Sequence, residues 1–255
     1  MTLLKLASIR ERKLGNPSKL LIDHGAKVDL HSACGLGMIE RIEHLLRDRP
    51  LGVNDQVDTY FAMQFAITAG RPEVVQLLVE HDDEVNRNLK KVAYFGWEDD
   101  AIDQDYIPWS PIHMASLWCF GKDRVPVAQA LASAGADLNA LSPLDGFRPI
   151  HLVAMSNRVE MIKFFVSEGV EVDSRTEACT VINLPNEDGP LKGFECTALM
   201  VAAAEGFLEA TACLLGLGAD PLAVNSEGFT AIDFAERRFW NGQPYDEVID
   251  LLKKT

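Results

Sequence analysis

The chain has 255 residues, 47% apolar and 24% charged, which is ordinary globular usage and argues against a disordered chain. With 38 Asp and Glu against 24 Lys and Arg, the formal net charge is −14. That balance repels nucleic-acid backbones and anionic lipid surfaces and favours a basic partner. No apolar run reaches the roughly 18 residues of a membrane span, so no membrane association is expected.

Met1 to Lys13 puts apolar residues before charged ones, the reverse of a secretory leader, so none is expected. Leu20-Leu-Ile-Asp-His-Gly-Ala-Lys-Val-Asp then reads as the end of a helix, a glycine cap and a turn. Asp29-Leu-His-Ser-Ala opens a new short helix, with Gly35-Leu-Gly37 as its turn glycines. The span 62–69 reads as a short helix closed at Gly70, and Val74, Val75, Leu77 and Leu78 fall on one helical face after it. Ser110-Pro-Ile-His-Met-Ala, Arg148-Pro-Ile-His-Leu-Val-Ala, Thr197-Ala-Leu-Met-Val-Ala and Thr230-Ala-Ile-Asp-Phe-Ala each begin a helix. Ser110, Thr197 and Thr230 stand at cap positions, and Pro111 and Pro149 at the first helical position. Gly135, Gly169 and Gly218 close longer apolar helices, each in a copy of the motif seen at Gly25.

The His slot of these segments is filled by His31, Gln64, His113, His151, Met200 and Asp233, at spacings of 33, 49, 38, 49 and 33. A helix–turn–helix unit recurring at 33 residues, with SPIHMA, RPIHLVA and GADLN among its copies, resembles the ankyrin-repeat family. The resemblance covers nearly the whole chain. It implies an all-α fold, a solenoid of stacked helix–turn–helix hairpins in which no hairpin buries its own apolar face. The expected organisation is one domain, 1–255, with repeats at approximately 3–30, 31–54, 55–87, 106–140, 141–173, 193–224 and 225–255. The first and last are degenerate, as terminal repeats are. Two insertions, 88–105 and 174–192, account for the long spacings and fall on the finger side. The first carries Trp97 and an acidic run, Glu98 to Asp105.

The family's partner-contacting slots, transferred by register, give Asp58 and Tyr60 in the third repeat, and Tyr106, Trp109 and Trp118 in the fourth. They give Asp145, Phe147 and Met155 in the fifth, Phe194 in the sixth and Phe229 in the seventh. These slots are unexpectedly aromatic: exposed aromatic rings are what interfaces use as anchors, and the alternative is that the two insertions fold back over the rings as a second small core. The resemblance implies a protein-interaction scaffold whose concave face, rimmed by acids, takes a protein or peptide with apolar and basic residues. Two alternatives stay open. The insertions roof the rings into an apolar pocket for a small molecule, with Asp58, Asp105 or Asp145 as an acid or base, or the apolar face pairs with a second copy.

No nucleophile elbow, phosphate loop, HExxH or Rossmann glycine pattern is present, so no catalytic residue is assigned and enzymatic activity is left undecided. His113 and His151 are expected to tighten the stack, as the slot does in the family. The five cysteines (34, 119, 179, 196 and 213) form an odd set without a CxxC pair. That suits a reducing, cytoplasmic setting and gives no metal site and no cofactor.

Overall fold

The computed structural model describes residues 17–47, 58–81, 85–86, 109–116, 124–142, 146–177, 195–237 and 245–255. Among these the regular structure is helical: α1 Pro17–Asp23, α2 Leu30–Leu36, α3 Ile39–Arg47, α4 Asp58–Ala69, α5 Pro72–Glu80, α6 Pro111–Ser116, α7 Val125–Ser133, α8 Pro149–Ala154, α9 Val159–Ser167, α10 Ala198–Ala204, α11 Leu208–Gly216, α12 Ala231–Arg237 and α13 Asp246–Leu252. The described residues also carry one isolated antiparallel bridge, Arg175 with Thr197. None of these helices is long and apolar enough to cross a membrane.

The helices fall into two compact bodies. The N-terminal body comprises residues 1–115 with 120–137, and the C-terminal body 116–119 with 138–255. In the C-terminal body the inner helices α8, α10 and α12 pack in single file, and the outer helices α9, α11 and α13 do the same beside them. Each inner helix also packs on the outer helix that follows it. The N-terminal body repeats the pattern, with α2 on α4, α5 on α7, and the pairs α2–α3 and α4–α5. Sequential neighbours therefore supply each other's apolar partner. The inner helices α8 and α10 are buried at every residue, whereas α9 buries Met161, Ile162, Phe164 and Phe165 and leaves its other face in water. Helices this short are unstable alone, so packing on both sides is what holds them.

Inner-helix N-termini are closed by side chains three residues apart. Asp29 accepts from the Ser32 N–H at 2.9 Å. In α12 the Thr230 N–H and hydroxyl donate to one Asp233 oxygen at 2.7 and 2.6 Å, which explains the acid in the His slot as a capping group. Ser110 Oγ lies 2.7 Å from His113 Nδ1. Two arginines just ahead of outer helices reach back to carbonyls at the end of the inner helix one repeat earlier. Arg71 Nε donates to Gly35 at 3.3 Å and Arg124 Nη2 to Thr68 at 2.6 Å, each placing a cation at a helix C-terminus. The α4 helix starts at Asp58 rather than near 62.

Candidate functional site

The C-terminal body builds its finger loops from one recurring clamp. The Ser142 N–H donates to the Phe147 carbonyl at 2.8 Å, Thr176 to Cys196 at 3.0 Å, and Asn225 to Phe229 at 2.9 Å. The second insertion enters between Thr176 and Cys196, so its stem is pinned like the shorter fingers. The Thr176 hydroxyl adds a bond from the Cys196 N–H at 3.0 Å. Residues 178–194, the body of that insertion, and 87–108, which hold the first, lie outside the described residues.

His151 ties these fingers to the inner helices. Its Nδ1 accepts from the Arg148 main-chain N–H at 3.2 Å, so Nε2 carries the proton and donates to the carbonyls of Ser174 (3.0 Å) and Cys196 (3.1 Å). Burial outweighs the bonds to those carbonyls and lowers its pKa from 6.5 to about 4, with the Arg148 charge pushing the same way. A neutral ring with both nitrogens committed to the backbone is a structural bolt rather than a proton carrier. Asn157 and Asp173 stitch the repeats further. Asn157 accepts from the Ala210 N–H at 3.1 Å and donates to Glu209 at 3.0 Å, and Asp173 accepts from the Asp220 N–H at 3.2 Å. The bond from Asn157 holds the Glu209 carboxyl below the usual carboxylate range. In the N-terminal body Asn86 plays this part, donating to Gly135 at 2.9 Å and accepting from Asp137 at 2.7 Å.

The residues selected from the sequence separate into three groups. Trp109 is 8% exposed and Phe147 3%, so neither ring stands in water as the slot register implied. The Phe147 ring instead lies 6.0 Å from that of His151, tilted by 43°, and shields the bolt from solvent. Met155 and Phe229 keep partial exposure, Met155 as the cap of α8 and Phe229 through a main-chain bond to Asn225 Oδ1 at 2.8 Å. Glu205, the C-cap of α10, is half-buried. Asp58 and Tyr60 belong to the first turn of α4 rather than to a loop, and their side chains are outside the described residues, as are Tyr106, Trp118, Asp145 and Phe194. Among the described residues no group of three or more His, Cys, Asp or Glu side chains is placed to hold a metal ion.

The sequence reading missed Leu222, Val224, Glu177 and Glu195. Leu222 and Val224 are 78% and 46% exposed, and both glutamates are exposed. A signal existed for Glu195. It stands where the neighbouring fingers have Gly146 and Gly228, both at positive φ, and adopts φ 59° itself. The family model for ankyrin repeats in three copies matches residues 30–142 and 112–221. The chain belongs to the ankyrin-repeat family. Its curated relatives are ankyrin-repeat proteins as well. Human ankyrin repeat and SOCS box protein 6 is 28% identical over 181 residues, 69% of this chain and 38% of that protein. Its mouse counterpart is 28% identical over 160 residues, 62% of this chain and 33% of that protein. Ankyrin repeat domain-containing protein 49 of Drosophila melanogaster is 32% identical over 74 residues, 28% of this chain and 34% of that protein. The chain thus spans under two fifths of the length of these relatives.

Proposed function

We propose that this chain is a protein-interaction scaffold that holds its partner on the inner-helix and finger side of the ankyrin stack. The observation that carries the reading is where the polar side chains go. His151, Asn157, Asp173 and Asp233 bond to the chain's own backbone, and Asn86 does so in the N-terminal body. Groups committed in this way serve cohesion and leave the surface to do the recognising. Ankyrin repeats generally act through protein–protein contact, and every relative named above is an ankyrin-repeat protein.

The partner on this reading is a protein or peptide with apolar and basic side chains, suited to Met155 and Phe229 beside Glu205 and Glu227. Charge complementarity would set association rate and orientation more than affinity. The mechanism is steric: the scaffold occupies or tethers its partner. The test is capture of partners by the tagged full chain, followed by cross-linking and mass spectrometry with wild type and with Met155→Ser/Phe229→Ser. Cross-links clustered on 146–156, 195–205 and 224–230, and lost in the double variant at unchanged helicity, support the scaffold. Stabilisation by a metabolite library with no protein captured points to a small-molecule site instead.

A further inference from the structure

We draw no further inference here: the strongest candidate, the exposed apolar pair Leu222 and Val224 on the turn between α11 and α12, carries nothing because no feature of the structure shows what covers it.

Discussion

Gly206 closes α10 in the left-handed region at φ +71°, directly beneath the ring of Tyr245 at the start of α13. A Cβ built there would lie 2.3 Å from two ring carbons and 2.8 Å from a third, far inside the ~3.5–4.0 Å of a carbon–carbon contact. Gly206→Ala is charged about 1–2 kcal/mol for the backbone and about 1–3 for moving the ring, offset by ~0.4–1 from a stiffer unfolded chain. The net expectation is a loss of about 2–4 kcal/mol. Gly218 is the matched control: it sits at φ +93° with nothing within 4 Å of a built Cβ, so Gly218→Ala is expected to lose only about 1 kcal/mol. Urea titration followed by circular dichroism compares the midpoints, with the slope checked because repeat arrays can unfold in stages. Adding Tyr245→Ala should recover part of the Gly206→Ala loss and none of the Gly218→Ala loss. Equal losses in the two alanine variants, or no coupling to Tyr245, would refute the packing of the last hairpin against the turn of the one before.

The His151 bolt predicts a pH signature. A folded pKa of about 4 against 6.5 unfolded means the unfolded chain takes the proton first, so stability is full above 6.5 and declines as pH falls toward 4. The part due to this ring approaches ~3 kcal/mol, and His151→Gln, a donor and acceptor without that titration, should flatten the slope between pH 7 and 5 in urea midpoints. Arg124→Met should lose about 1–3 kcal/mol by leaving the Thr68 carbonyl without its guanidinium donor, read by thermal unfolding. Asn157 combines φ 53° with two inter-repeat bonds, so Asn157→Ala should cost about 2 kcal/mol or more, with Asn157→Gly recovering the backbone share only.

The fold was legible because its determinants are local and repeated. A capping residue, a proline or alanine, an apolar triplet and a glycine–alanine–aspartate turn recur near a fixed spacing, and α6, α8, α10 and α12 begin one residue after Ser110, Arg148, Thr197 and Thr230. The surface was legible only in part, because whether a slot faces water depends on what a neighbouring repeat lays over it. Phe147 holds a contact slot by register, yet its ring shields His151, a partner four residues along whose orientation is fixed by carbonyls at 174 and 196. Glu195 was hidden for a different reason. The register puts it five residues before Met200, as Gly146 and Gly228 stand before His151 and Asp233, but the positive φ at that place shows only in the folded turn. The position of α4 shows the same limit at smaller scale, since nothing in the 33-residue register says that the helix takes in Asp58 and Tyr60.

Hydrogen–deuterium exchange of the full chain, free and bound to a captured protein partner, tests the central claim most directly. Slower exchange is predicted at residues 146–156, 174–177, 195–205 and 224–229, with the solvent faces of α9 and α11 unchanged. Protection confined to those outer helices would contradict it.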